Sequence, residues 1–288
     1  MPRPRRGLIL SVCLGAIAAA YVFISMTLVG VPPPGVQPFD RLTDEPIALQ
    51  VYVEVLSFDP IRDTLDVRID FATETGAGGS QFAGVANRDM TVRIADGEVE
   101  NQVQLVSGRS MEPVSMLIDV GAGSILDYPF DHYSAQLAIA AYDRTSPTIL
   151  HPLSLHMTVW SRLAAWDIRI GQQDHPIIPA GINLEFRAQR TDLQRFFAVT
   201  LYAAMVLMGC IGITVGSLFF LRTRRIDTTM AAVLSAMMFS LPALRNIMPG
   251  TPPLGVHADS LVFLWAELAV VIGLTLVIIS WVQSNDRP

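Results

Sequence analysis

Three ionisable residues stand in the most apolar part of this chain: Arg245, Asp259 and Glu267. Glu267 follows Asp259 by eight residues, which places its carboxyl about 12 Å farther along a helix. A carboxylate within a membrane span is costly and faces a bundle interior or water. Arg245 closes the preceding apolar run at the same end. The three make an intramembrane polar cluster in which Arg245 pairs with Glu267 or with Asp259. In the competing arrangement Arg245 snorkels to the headgroups and Glu267 stays neutral beside a hydroxyl. The exchange Arg245→Glu with Glu267→Arg separates the two, since rescue of either single variant requires the pair.

A second pattern lies just before Arg245. Thr228, Ala232, Ser235 and Phe239 recur at three or four residues and share one helix face. That face is a candidate pore stripe, or a plain helix-packing surface of small residues. Gly209, Gly212 and Gly216 form a similar close-packing face and a weak oligomerisation signal.

Reaction chemistry is harder to place. All 20 basic residues are Arg, and there is no Lys. That excludes a phosphate-binding loop with its Lys, a Schiff-base enzyme and a protein kinase. The two cysteines, Cys13 and Cys210, lie in apolar stretches, so the polar middle of the chain has neither a disulfide nor a catalytic Cys. The five histidines are His132, His151, His156, His175 and His257, and none keeps metal-ligand spacing with acidic partners. His151 and His156, on one strand, would face opposite ways. No nucleophile elbow occurs. The expectation is a protein that is not an enzyme and uses no cofactor or metal.

The elements that carry these residues follow from composition. The chain is 51% hydrophobic and 16% charged, against about 25% charged in soluble proteins. Four apolar segments predict membrane helices at 7–31, 196–221, 228–244 and 260–282, each near the length that crosses a bilayer. The first is long for a cleaved signal peptide and is read as an uncleaved anchor. Arg3, Arg5 and Arg6 precede it, and Arg222, Arg224 and Arg225 fill the turn after the second. By the positive-inside rule both clusters are cytoplasmic. The termini, 1–6 and 283–288, are then cytoplasmic, and the region 36–194 and the loop 245–259 lie outside. Trp265 and Trp281 bracket the last span as interfacial anchors.

The outside region holds 22 acidic residues against 11 Arg, a net charge of −11. Such a surface repels nucleic acid. Period-two alternation, clearest at Leu65, Val67, Ile69 and Phe71, predicts about nine strands, at 51–56, 65–71, 90–95, 99–106, 114–120, 134–142, 153–160, 167–170 and 182–188. The fold class is an α+β membrane protein: an extracellular all-β sandwich plus four transmembrane helices. Val31-Pro32-Pro33-Pro34-Gly35 is a stiff spacer. Only Gln189 to Arg195 separate the last strand from a membrane helix, so sandwich and helix are stiffly coupled.

The strongest local motif is Tyr128-Pro129-Phe130-Asp131. It is an ordinary loop-to-strand corner or a contact that couples the sandwich to the membrane part. It resembles the aromatic-Pro-Phe-Asp motif in the extracellular sandwich of pentameric ligand-gated ion channels. Trp166-Asp167-Ile168 and the basic stretch with Arg187, Arg190 and Arg195 resemble later parts of that sandwich. The resemblance spans about 50–221. It implies that the motif sits at the membrane face and, in a homo-oligomer, that the third span lines a pore. This chain departs from it by having one span before the sandwich and three after.

A wider resemblance rests on Leu241-Pro242-Ala243-Leu244-Arg245-Asn246, Pro249-Gly250-Thr251-Pro252-Pro253-Leu254-Gly255, Asp259 and Phe263-Leu264-Trp265-Ala266-Glu267. These are similar to an uncharacterised family of actinobacterial, largely mycobacterial, membrane proteins, domain of unknown function 4436. That implies the four-span topology and no particular activity. The expected partners are the lipid bilayer, further copies of the chain, and an extracellular ligand or envelope protein. The primary reading is a non-enzymatic plasma-membrane protein, and the alternative is a channel-like homo-oligomer.

Overall fold

The computed structural model describes residues 36–41, 47–75, 81–97, 99–144, 151–173, 176–221 and 228–285, with single positions at 15, 19, 22 and 26. The predicted first span as a segment, the proline spacer, both arginine clusters and the last residues of the tail lie outside the described residues.

The β-domain has twelve strands among the described residues, not about nine. They are β1 (Gln37–Arg41), β2 (Leu49–Asp59), β3 (Thr64–Thr75), β4 (Gln81–Ala83), β5 (Met90–Ala95), β6 (Glu100–Leu105), β7 (Val114–Ala122), β8 (His132–Asp143), β9 (His151–Pro152), β10 (Leu155–Ser161), β11 (Trp166–Gln172) and β12 (Ile182–Arg190). All nine predicted strands are present. The additional three, β1, β4 and β9, have five, three and two residues, too short for alternation to register. His151 and His156 fall on β9 and β10, not on one strand, because Leu153 and Ser154 interrupt the pairing.

The sheet runs β1-β10-β2-β3-β7-β8-β12-β11, with β5 and β9 also on β8, β6 on β5 and β4 on β3. β2 and β10 are parallel, and the other pairs are antiparallel. β7 joins the two halves through a register shift between Val120 and Ala122. The path curls until β1 touches β12, so the sheet nearly closes on itself. Its interior is one apolar core: Val51, Val53, Leu65, Val67 and Ile69 from one half meet Val92, Ile94, Leu137, Ile139, Leu184 and Phe186 from the other. Alternation explains why: each of these residues is two positions from the next on its strand.

Three helices follow: α1 (Asp192–Phe220), α2 (Thr228–Asn246) and α3 (Leu264–Asn285), the last preceded by a π-helical turn, Asp259–Phe263. Two stretches, Asp192–Phe220 and Asp259–Gln283, are long and apolar enough to cross a membrane. α2, predicted as a span, does not join them, since Ser235, Ser240, Pro242 and Arg245 dilute its 19 residues. Of the four predicted membrane helices, the second and fourth meet that measure among the described residues, and the first, as a segment, lies outside them. α1 also begins four residues before the predicted 196.

α1 and α3 pack through glycine. An added Cβ at Gly209 would lie 2.9 Å from the backbone of Ala266, one at Gly212 3.0 Å from Val270, and one at Gly216 2.5 Å from Gly273. The glycine face predicted at Gly209, Gly212 and Gly216 is thus used within the chain. α2 packs across both at Phe219, Leu234 and Val277.

Candidate functional site

The β-domain and the helices meet at a buried polar joint. It starts at the turn before β8. Ile125–Asp127 forms one 3₁₀ turn whose first backbone donors are met by Ser124, the side chain accepting from Leu126 N at 3.2 Å. Tyr128-Pro129, a cis peptide, is buried, while Phe130 is 57% exposed. Asp131 is fully buried and accepts two hydrogen bonds, from Arg190 Nε at 2.7 Å and from Tyr133 OH at 2.9 Å.

Arg190 ends β12 at a position that alternation turns inward, after Ile182, Leu184, Phe186 and Ala188. Its guanidinium lies between two rings, 4.5 Å from the centroid of Tyr128 and 4.7 Å from that of Trp166, its register partner on β11. Cation–π contact of this kind strengthens with desolvation. Trp166 packs edge-on against Phe58 at 4.5 Å and Tyr133 at 5.7 Å, closing the apolar wall. Arg190 Nη2 is buried without a hydrogen-bond partner.

The tyrosines register this burial. Desolvation pushes the Tyr128 hydroxyl up to about 12, partly countered by the Arg190 charge. Desolvation, then the charge and hydrogen bond of Asp131, push Tyr133 far above its ordinary value.

From the joint, contacts reach the loop between α2 and α3. Tyr128 OH donates to Pro249 O at 3.0 Å. Gly250 has φ +73°, and a Cβ there would lie 2.5 Å from Arg190 Nη1. His257 Nδ1 stands 3.2 Å from Asp127 Oδ1. Tyr128 itself belongs to the apolar cluster of the helices, with Tyr202, Met205, Leu241, Met248, Val256 and Ala266.

The same loop is held from below. Arg245 is buried and grips Asp259 with two bonds, Nε to Oδ1 and Nη2 to Oδ2, both 2.8 Å. Nη2 also donates to Pro252 O at 3.0 Å and Pro253 O at 2.8 Å. Asp259 further accepts from Tyr202 OH at 3.1 Å and Gly255 N at 3.2 Å. Of the three predicted polar residues, Arg245 and Asp259 therefore come together. Glu267 stands apart, with Oε2 buried and without a partner.

The predicted stripe lies on α2. Ala232 and Phe239 are exposed, and Ser235 donates to Ala231 O at 2.9 Å; the side chain of Thr228 lies outside the described residues. Arg190 was the residue that motif reading missed as a partner. Its signal was present: a charged residue at the inward end of an alternating strand.

Fold and joint define the class: a nearly closed β-domain continuous with apolar helices through a buried ion pair, with one residue, Thr191, between strand and helix. The family described as a domain of unknown function, DUF4436, matches residues 39–192, more than half the chain. The chain belongs to that family. A second domain of unknown function, DUF8686, matches residues 190–284. No curated protein matches the chain. The two matched regions meet at Arg190 to Asp192, where β12 becomes α1.

Proposed function

We propose that this is a non-enzymatic, multi-pass plasma-membrane protein. Its β-domain, 36–194, stands outside the cell, meets a ligand or envelope partner there, and passes that event to the helices through the joint. One observation carries the reading: the α2–α3 loop is held both from the helices, where Arg245 donates to Pro252 O and Pro253 O, and from the β-domain, where the Tyr128 hydroxyl donates to Pro249 O. A loop tied to both parts of the chain couples a shift in one to the other. The four-span topology, with both termini cytoplasmic, is supported by the arginine clusters on either side of the first two apolar segments. The contact of Tyr128 with Pro249 agrees with it, because it requires the α2–α3 loop and the β-domain to share a side of the membrane.

The test is amide hydrogen exchange on the full-length protein in detergent. Tyr128→Phe removes the hydroxyl bond to Pro249 and is expected to raise exchange across 247–258 while leaving the β-domain core protected. Unchanged exchange in that loop, in both Tyr128→Phe and Arg190→Gln, overturns the reading.

The second reading is a channel-like homo-oligomer with α2 facing an axial pore. It is favoured by the exposure of Phe239, 75%, on the least apolar of the three helices. The mass of detergent-solubilised particles decides it: a monomer or dimer sinks the pore, and a pentamer calls for conductance recording.

A further inference from the structure

The outward face of β8, β12 and β11 bears an open cleft of about 620 Å³. Its floor is set by register. Ser134, Arg187 and Arg169 stand in one cross-strand row, on the side of the sheet away from the core. Like charges directly opposite one another destabilise a sheet. Among the described strand pairs, this is the one place where two cations oppose. It occurs in a region whose net charge is −11.

Each of the two arginines keeps a carboxylate beside it on its own strand. Arg169 Nε meets Asp167 at 3.2 Å and Arg187 Nη2 meets Glu185 at 2.8 Å, each pair on one strand at the solvent surface. Exposed pairs of this kind contribute about 0–1 kcal/mol. Both arginine side chains remain widely open, at 74% and 72% exposure. Gly171, beyond Arg169, has open space where a side chain would stand. Two planar five-donor groups and a hydroxyl line one cleft, the donor set by which arginine recognises phosphate oxygens in pairs.

We propose that this cleft binds a small, doubly charged oxyanion of the phosphate class from the external solution, held between Arg169 and Arg187 with the Ser134 hydroxyl. Separation along the chain from the first apolar helix argues for a free ligand over a lipid headgroup. Arg187 precedes the first residue of α1 by five positions, about 16 Å of extended strand. The site also lies on the strands of the joint. β12 carries Arg187 outward and Arg190 inward, and β11 carries Arg169 outward and Trp166 inward. That a bound anion draws these strands together and so moves the joint rests on the proposed function; the binding itself does not.

The experiment is a titration of the full-length protein in detergent with inorganic phosphate, followed by ³¹P line broadening. Saturable binding is expected, weakened at least about tenfold in Arg169→Gln/Arg187→Gln, as loss of charged hydrogen bonds implies. Arg68→Gln, which removes an exposed arginine paired with Asp70 elsewhere, serves as the matched control and leaves binding unchanged. Non-saturable broadening, or equal binding by the double variant, overturns the proposal. So does association with phosphatidylinositol vesicles without binding of free phosphate, which assigns the site to lipid. Tyr128→Phe leaves the titration unchanged, so failure of the joint and failure of the anion site show separately.

Discussion

Arg190 donates from Nε to Asp131 Oδ1 at 2.7 Å, with the two side chains 1% and 0% exposed. These residues are 59 positions apart, one at the end of the last strand and one at the corner before β8. Their pairing fixes the point from which α1 departs.

Asp131→Asn leaves that cation buried without its counter-charge. Removing one partner of a buried pair costs about 3–5 kcal/mol, because the remaining charge is uncompensated. The expected result is a large fall in the melting temperature of the detergent-solubilised protein. Arg190→Met combined with Asp131→Leu should recover much of that loss, since an apolar replacement of a buried pair is often neutral. A double variant no more stable than Asp131→Asn would show that the pair does more than balance charge.

Gly250→Ala tests how tightly the loop sits on Arg190. The position combines φ +73° with a Cβ that would fall 2.5 Å from Arg190 Nη1. Gly255 has φ +100° and open space around it. Both substitutions carry the backbone cost of a left-handed residue, about 1–2 kcal/mol. Only Gly250→Ala must also displace the guanidinium. Thermal melts should therefore rank Gly250→Ala below Gly255→Ala, and equal melts would mean that Arg190 yields freely.

Much of the fold could be read from residue order, and for a physical reason. Nine strands bury one face, so alternation marks them. β1, β4 and β9 have five, three and two residues, too few for a period of two to stand out. The joint was half legible. Tyr128 to Asp131 stood out by type, but Asp131 finds its partner only when β8 and β12 are set side by side. Arg245 and Asp259 were named with Glu267. What residue spacing could not supply was the loop closing back, so that Pro252 and Pro253 offer their carbonyls to the same guanidinium.

That closure changes which exchange should rescue. Arg245 makes both its carboxylate bonds to Asp259, so Arg245→Glu with Glu267→Arg should fail to restore monodisperse protein. Arg245→Asp with Asp259→Arg keeps opposite charges at the two positions and should restore part of it. Size-exclusion profiles of the four single variants and the two pairs check this. Rescue by the Glu267 pair alone would place Arg245 beside Glu267.

Stability should fall at alkaline pH. Burial raises the Tyr128 hydroxyl from 10.0 to about 12 in the folded protein, and Tyr133 moves the same way. Between those values the unfolded chain has lost a proton that the folded chain keeps, so stability drops as pH rises. The contribution is complete below about pH 10 and disappears through about pH 12. Melting temperature against pH should slope downward in that window. Tyr128→Phe, which has no proton to lose there, should flatten the slope without removing the part due to Tyr133.

The α1–α3 contact offers a final, sharper comparison. A Cβ at Gly216 would stand 2.5 Å from the backbone of Gly273, a separation that backbone atoms cannot relieve without parting the helices. Cys210, on the same helix, is exposed. Gly216→Leu should therefore abolish close packing of the helix pair, while Cys210→Ala should be nearly silent, as surface changes usually stay within about 0.5 kcal/mol. Cysteines placed at Phe219 and Val277, which pack in one apolar cluster between the helices, give the readout: ready cross-linking in the parent and in Cys210→Ala, and its loss in Gly216→Leu. Cross-linking that survives Gly216→Leu would mean that the helices are held by the joint above them, not by the glycine seam between them.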